Sequence, residues 1–133
     1  MRFMVLVPGA AQTEAGEMPT TERLEAMTRF NQELAHAGVL LAGDGLLPSS
    51  SGAKVRFEGG SRTVVDGPFT EAQEIVAGYW IWECATREEA IERLKRAPFD
   101  GGVEIELRQV AELQDFGPEL TPELREANER LGT

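Results

Sequence analysis

Two short runs, residues 3–7 and 79–84, constrain the fold of this chain more than any other feature. The first is continuously apolar, and the second is rich in aromatic residues with Glu83 as its one charged member. Both are far shorter than the about 20 apolar residues that a membrane-spanning helix requires. Short apolar runs bounded by turn residues, such as Pro8-Gly9 after the first, predict strands that are covered on both faces of a sheet.

Helical and strand patterns alternate around these two strands. Thr20 is the predicted N-cap of a helix whose apolar positions recur every three or four residues until Gly38, and Thr86 begins a second helix that Pro98 stops. The other predicted elements are a loop at 10–19, strands at 39–42 and 103–107, a β-hairpin at 54–65, a short helix from Thr70 and a terminal helix from Thr121-Pro122. The order β-α-β, β-hairpin, β-α-β predicts an α+β fold of the ferredoxin-like type with the hairpin inserted.

The length of 133 residues predicts a single domain over residues 1–133, in which 118–133 form a helical tail. The net charge of −10 opposes binding to nucleic acids and to anionic membranes. The densest basic stretch, Arg93, Lys95 and Arg96, is interleaved with acids, so the sequence shows no basic cluster that would offset this charge. A cationic ligand is compatible with the charge, although solubility explains it equally well.

The single cysteine and the single histidine bear on metal sites and on the compartment. Cys84 has no partner for an intrachain disulfide, which predicts a cytoplasmic, reducing environment and a buried, inert thiol. His36 stands near the end of the first helix, where the dipole favours a cation. Neither residue has a companion at ligand spacing, so we predict no metal site and no cofactor.

Three stretches carry a resemblance to a known family. They are Asp66-Gly67-Pro68-Phe69-Thr70-Glu71 followed by Glu74 and Gly78, then residues 37–49, and finally residues 88–105. In this order they resemble the DGPF branch of the YCII-related family. The resemblance implies a ferredoxin-like chain that forms a dimeric α+β barrel, and it implies little about activity.

The same resemblance bears on acid–base chemistry. YCII relatives are thought to use a histidine on the first helix and an aspartate directly before the proline that ends the second. The matching positions of this chain hold Met27 and Ala97, neither of which transfers a proton. We therefore assign no catalytic residue, and the sequence leaves open whether the protein is an enzyme.

The candidate ligand-binding residues are acids and an aromatic side chain near strand ends: Asp66, Phe69, Glu71, Glu74 and Asp44. Asp66 has two interpretations. In the favoured one its carboxylate accepts backbone N–H bonds across the Gly67-Pro68 turn, and in the other it anchors a ligand or moves a proton. Trp80 and Trp82 share one strand face and are interpreted as core or interface residues, in preference to a stacking platform for a ligand.

Two functional hypotheses follow from these residues. The first is a homodimer that binds or processes a small molecule near the Asp66 turn, with the partner copy covering the free face of the sheet. The second is a non-catalytic regulatory module linked to extracytoplasmic-function sigma factors, a context that the resemblance implies. Such a module needs an exposed patch, which Leu120, Leu124 and Leu131 of the tail would supply.

Overall fold

A computed structural model describes residues 1–70 and 75–132 of the protein. Its elements, in chain order, are β1 (Arg2–Pro8), α1 (Ala11–Glu14), α2 (Thr21–His36), β2 (Leu40–Gly45), a 3₁₀ turn (Ser49–Ser51), β3 (Ala53–Glu58), β4 (Ser61–Asp66), β5 (Val76–Glu83), α3 (Arg87–Leu94), β6 (Glu106–Gln109), a second 3₁₀ turn (Leu113–Asp115) and α4 (Pro122–Leu131). The short helix predicted from Thr70 lies outside the described residues.

The main sheet has four antiparallel strands in the order β2-β5-β1-β6. The strands that follow α2 and α3 are therefore the two outer ones, and the two apolar strands lie side by side in the centre. This is the order of a ferredoxin-like fold, and the predicted α+β class is confirmed. Strands β3 and β4 pair only with each other and form a separate two-stranded sheet.

One face of the main sheet carries the core. Phe3 and Val5 of β1 and Trp80 and Trp82 of β5 alternate onto this face, and each is at most 5% exposed. Phe30 of α2 packs edge-on against both tryptophan rings, at 5.7 and 6.2 Å between ring centroids. The interpretation of the two tryptophans as core residues is thus confirmed.

Cys84 closes the core at the end of β5 and is 3% exposed. Burial, with a smaller contribution from the carboxylate of Glu89, raises the pKa of the Cys84 thiol. The predicted burial of Cys84 is confirmed, and a buried thiol with a raised pKa is a poor nucleophile.

The helix starts follow the predicted caps. The hydroxyl oxygens of Thr20, Thr86 and Thr121 each accept the backbone N–H of the residue three positions later. At α3 the Glu89 carboxylate in turn accepts the N–H of Ala85, which satisfies a second donor at the same helix start. Local capping therefore sets where α2, α3 and α4 begin.

Three predicted boundaries were wrong. The loop predicted at 10–19 contains α1, which has no buried residue and no apolar stripe that a pattern could reveal. Strand β2 runs on to Gly45, because pairing with β5 holds its glycines in extended backbone. The final strand spans Glu106–Gln109, since β6 pairs with β1 only through residues 106–109.

Candidate functional site

A cleft of about 240 Å³ lies between α2 and the end of the sheet where β2 and β5 pair. Its lining is mostly apolar and aromatic, with an amide, a carboxylate and a phenol as the polar side chains. The lining residues are Val7, Met27, Asn31, Gly43, Asp44, Gly45, Ala77, Gly78, Tyr79, Trp80 and Phe99. We call this site the β2–β5 cleft.

Glycines let the walls of the β2–β5 cleft approach each other closely. A Cβ atom on Gly43 would come within 2.6 Å of Trp80 Cδ1, and one on Gly78 would come within 3.1 Å of the Asp44 carbonyl oxygen. Because β2 lies this close to β5, the Trp80 indole packs beneath the Gly43 backbone. A larger residue at either position would have to displace the strand or the ring.

The Asn31 amide fixes one polar group of the cleft. Trp80 is 5% exposed, and its Nε1 donates a hydrogen bond of 2.8 Å to Asn31 Oδ1. This bond satisfies the buried indole and orients the amide, so that Asn31 presents its Nδ2 as a donor. Asn31 reaches the cleft because α2 places it one position after Phe30, whose ring is in the core.

The Asp44 carboxylate fixes a second polar group. The Tyr79 hydroxyl donates a hydrogen bond of 2.8 Å to Asp44 Oδ2 across the β2–β5 pairing. This bond, and then the charge of the Asp44 carboxylate, raises the pKa of Tyr79. The phenol is therefore held neutral, and one oxygen of Asp44 is engaged by it. Both side chains lie on the sheet face opposite Trp80, because Asp44 is paired with Tyr79 and Gly43 with Trp80.

The positions of the YCII acid–base pair coincide with apolar surface. Met27 is half-buried and lines the β2–β5 cleft, while Ala97 packs against the core. As the sequence indicated, the position of the relatives' histidine holds Met27, which gives the cleft an apolar wall there. Among the cleft's own residues Asp44 is the one carboxylate, and no histidine lines it.

The Asp66-Phe69 turn is built differently. Asp66 is exposed, and its side chain hydrogen-bonds to no residue within 1–70 or 75–132, so the predicted capping of the turn by its carboxylate was wrong. The turn is held by the backbone instead, where Gly67 N–H donates to the Gly52 carbonyl at 3.0 Å. A Cβ on Gly67 would overlap the Ser49 carbonyl and lie 2.6 Å from its carbon, which explains the glycine.

A buried network that the sequence did not reveal anchors this turn. Ser49 is 7% exposed, and its Oγ accepts the Phe69 N–H at 2.9 Å and donates to Glu14 Oε2. The other oxygen of Glu14 accepts the Ser49 N–H at 2.9 Å. Glu14 lies on α1, 35 residues from Ser49, and no spacing in the sequence links the two.

The five candidate ligand residues thus do not form one site. Asp44 lines the β2–β5 cleft, whereas Asp66 and Phe69 belong to the anchored turn and do not line it. The Phe69 ring is half-buried, and Lys54 Nζ lies 4.5 Å from its centroid. Glu71 and Glu74 lie outside the described residues.

The described residues form neither a metal-binding group nor a membrane-spanning helix. Within residues 1–70 and 75–132, no three His, Cys, Asp or Glu side chains are grouped so that they could hold a metal ion. Over the same residues, no helix is long and apolar enough to cross a lipid bilayer.

The antiparallel sheet with its strand order β2-β5-β1-β6 places the protein among small α+β domains of the ferredoxin-like type. The model of the YCII-related domain matches residues 1–114, and the chain belongs to this family. An uncharacterized protein of Rhizobium meliloti (strain 1021) is 30% identical over 81 residues, which are 60% of this chain and 65% of that protein.

A solved structure also resembles the fold. It is the 5-chloro-2-hydroxyhydroquinone dehydrochlorinase TftG from Burkholderia phenoliruptrix AC1100, in complex with 2,5-dihydroxybenzoquinone. The sequence identity is 12%, the match covers 87% of this chain and 100% of the other, and the TM-score is 0.43. This likeness concerns the fold and no residue role.

Proposed function

We propose that this YCII-related protein binds a small molecule in the β2–β5 cleft. The observation that carries the proposal is the Asn31 amide, oriented by Trp80 in a site whose walls are mostly apolar, with the Asp44 carboxylate at the edge of the cleft on the other face of the sheet. Ligand sites in proteins have this composition, with few placed polar groups among hydrophobic and aromatic side chains. Each polar group is held by an aromatic partner of the fold, so it is ordered before a ligand arrives.

The geometry defines the ligand's chemistry. Asn31 Nδ2 donates inside the cleft, so the ligand needs an acceptor there. Asp44 offers a negatively charged acceptor to a ligand that extends past the edge of β2, where a donor or cationic group would meet it. Trp80, Phe99 and Met27 suit an apolar or planar body between these groups. At about 240 Å³ the cleft is smaller than the about 300–1,000 Å³ of drug-sized sites, which indicates a compact compound.

Binding is favoured over acid–base catalysis of the family's kind. Proton transfer needs a group that titrates within hydrogen-bond reach of the substrate, and Met27 and Ala97 supply none. Asp44 is the remaining proton acceptor in the cleft, and its contact with Tyr79 uses one of its two oxygens. If the protein is an enzyme, Asp44 is the residue that we expect to carry its chemistry.

Two matched variants test this proposal. Asp44→Asn and Asp66→Asn remove the same charge from an exposed aspartate near the end of a strand. Native mass spectrometry of the purified protein identifies a co-purified compound, and titration calorimetry then measures its affinity for each variant. We expect Asp44→Asn to weaken binding by about tenfold or more, as loss of a charged hydrogen bond does, and Asp66→Asn to leave it unchanged.

The opposite ranking would reject the β2–β5 cleft. A compound lost from Asp66→Asn and retained by Asp44→Asn would transfer the site to the Asp66-Phe69 turn. Equal affinity for both variants and the parent protein would show that neither aspartate contacts the compound.

We also propose that two copies associate through the free face of the main sheet. Met4 and Leu6 of β1 and Tyr79 and Ile81 of β5 alternate onto this face and are half-exposed in the single chain. Adjacent apolar side chains on a sheet favour a partner of the same kind, and the family resemblance implies a dimer.

Light scattering at micromolar concentration tests this association. We expect a dimer for the parent protein and a monomer for Ile81→Arg, because a buried and unpaired charge opposes the interface. Val64→Arg on the hairpin, where Val64 is 63% exposed, is the control and should stay dimeric. A monomeric parent protein contradicts the proposal.

We further propose a branch of the family and a cellular compartment for this protein. We infer membership of the DGPF branch because Gly67 and Phe69 have specific places in the turn that this motif forms. We infer a cytoplasmic protein because Cys84 is a single, buried thiol.

The regulatory-module hypothesis stays a prediction. Leu124 and Leu131 are 50% and 75% exposed on α4, so the tail has the apolar patch that such a module would use. Neither the family model nor the two similar proteins supports a link to sigma factors.

A further inference from the structure

A second concave surface lies between α2 and the end of α3. Three arginines, Arg29 of α2, Arg93 of α3 and Arg96 just beyond α3, line an open groove of about 560 Å³. The other residues of its lining are Gln32, Glu33, His36 and Ala37. We call it the arginine groove.

The fold creates this basic cluster from separate parts of the chain. Arg29, Glu33 and His36 are four and three positions apart on α2, so they share one face of that helix. Arg93 lies on α3 and Arg96 just beyond it, more than sixty positions away along the sequence. Packing of the helices thus gathers basic residues that the sequence separates.

The guanidinium groups of the groove are poorly neutralised by the protein itself. Arg29 and Arg96 form no ion pair or hydrogen bond with any carboxylate in residues 1–70 or 75–132. In contrast, most basic side chains of the described residues form an ion pair, as Lys95 does with Glu92 at 3.0 Å. The Nε atom of Arg93 is buried without an acceptor, since Glu89 Oε1 lies 3.7 Å away, beyond hydrogen-bond distance.

The negative groups that face the groove are few. Glu33 lines it directly, Glu89 reaches Arg93 from its own helix, and Glu92, which adjoins Arg93 and Arg96, is paired with Lys95. With Glu92 paired to Lys95, the three guanidinium groups exceed the remaining carboxylates, Glu33 and Glu89, in charge. Arginine donates in a planar fork that matches the oxygens of phosphate and carboxylate groups, which makes an oxyanion the complementary ligand.

The net charge of the protein favours a small anion over an extended one. A membrane surface or a nucleic-acid duplex would face the whole chain, which carries a net charge of −10 and repels it. A small anion inside the groove responds mainly to groups within the Debye length of about 8 Å at physiological ionic strength. The local arginines then dominate, so a small anion is attracted where an extended one is repelled.

From this charge distribution we infer that the arginine groove is a binding site for a small oxyanion with two or more negative charges. The site is separate from the β2–β5 cleft, since no residue lines both. One protein would thus present two sites of opposite character, an aspartate-bearing cleft at the sheet end and an arginine-bearing groove on the helices.

Inorganic pyrophosphate is the probe for this site. Titration calorimetry with pyrophosphate, against acetate at the same ionic strength, should show saturable binding of pyrophosphate alone. The double variant Arg29→Gln/Arg96→Gln should weaken that binding by about tenfold or more, because two charged donors are removed. Glu33→Gln should tighten it, since this change removes a carboxylate from the groove.

A charge-matched control separates a built site from general attraction. Arg125→Gln/Arg130→Gln on α4 changes the net charge by the same amount and leaves the lining of the groove intact. We expect this variant to bind pyrophosphate like the parent protein. No saturable binding by the parent protein, or an equal loss in both double variants, would overturn the inference.

Discussion

Asp44 and Asp66 are both exposed aspartates near the end of a strand, and their surroundings differ. Asp44 accepts the Tyr79 hydroxyl at the edge of an apolar cleft, whereas Asp66 contacts no described side chain and adjoins a turn held by other residues. Asp66, the aspartate of the recognisable motif, thus has no described hydrogen-bond partner for its side chain, whereas Asp44 has one. In this protein the Asp66-Phe69 motif reflects a packing requirement at Gly67, whereas the proposed ligand site lies elsewhere, beside Asp44.

The largest effect is expected from Gly67→Ala. The new methyl group would overlap the backbone of Ser49, which cannot move like a flexible side chain, so unfolding free energy should fall by about 1–3 kcal/mol or more. Urea unfolding measures this change. Gly60→Ala is the control, since a Cβ there meets no atom within 4 Å. Equal stability of the two variants would show that the turn is not packed against Ser49.

A smaller loss of stability is expected from Ser49→Ala. The change leaves the Phe69 N–H and one oxygen of Glu14 without their partner, and an unsatisfied buried group costs about 1–3 kcal/mol. Thermal and urea unfolding should show the loss, whereas Ser50→Ala, at an exposed neighbour, should not. If Ser49→Ala unfolds like the parent protein, Ser49 is not the anchor of the turn.

The titration of Tyr79 tests the hydrogen bond that distinguishes Asp44 from Asp66. Tyr79 is the only tyrosine of the chain, so tyrosinate absorbance reports this residue alone. Because Asp44 raises its pKa, the contact stabilises the fold at neutral pH and is lost as alkaline pH ionises the phenol. Asp44→Asn should therefore shift the titration to lower pH, and Asp66→Asn should leave it in place. Identical curves for all three proteins would exclude the Asp44–Tyr79 bond in solution.

The smallest effect is expected from Asp66→Asn on stability. The side chain is exposed and forms no hydrogen bond to a described residue, so the unfolding free energy should change by less than about 0.5 kcal/mol. Chemical unfolding measures it. A larger loss would restore the structural role that the sequence suggested for this carboxylate.

Features that depend on neighbouring residues were predictable from the sequence. The threonine caps and the alternation of Trp80 and Trp82 onto one face follow from local spacing, and together they establish the ferredoxin-like order. The end of β2 was mispredicted because its glycines weaken a strand pattern, whereas pairing with β5 keeps them extended.

Features that join distant parts of the chain were not predictable in this way. The Glu14–Ser49 contact and the arginine groove each join residues dozens of positions apart, and each residue alone resembles an ordinary surface residue. Asp44 was named as a candidate, but its partner Tyr79 was assigned only a strand face. The register of β2 against β5 makes them a pair, and a single sequence does not specify that register.

The inserted hairpin of β3 and β4 has a consequence for local stability. Among its strand residues only Val65 is even partly buried, and an isolated two-stranded sheet is marginal in water. The Gly67–Gly52 bond closes the base of the hairpin, and Ser49 joins this base to Glu14 of α1. The hairpin amides should therefore exchange their hydrogens with solvent through local openings that leave the central strands protected, and proteases should cleave there first.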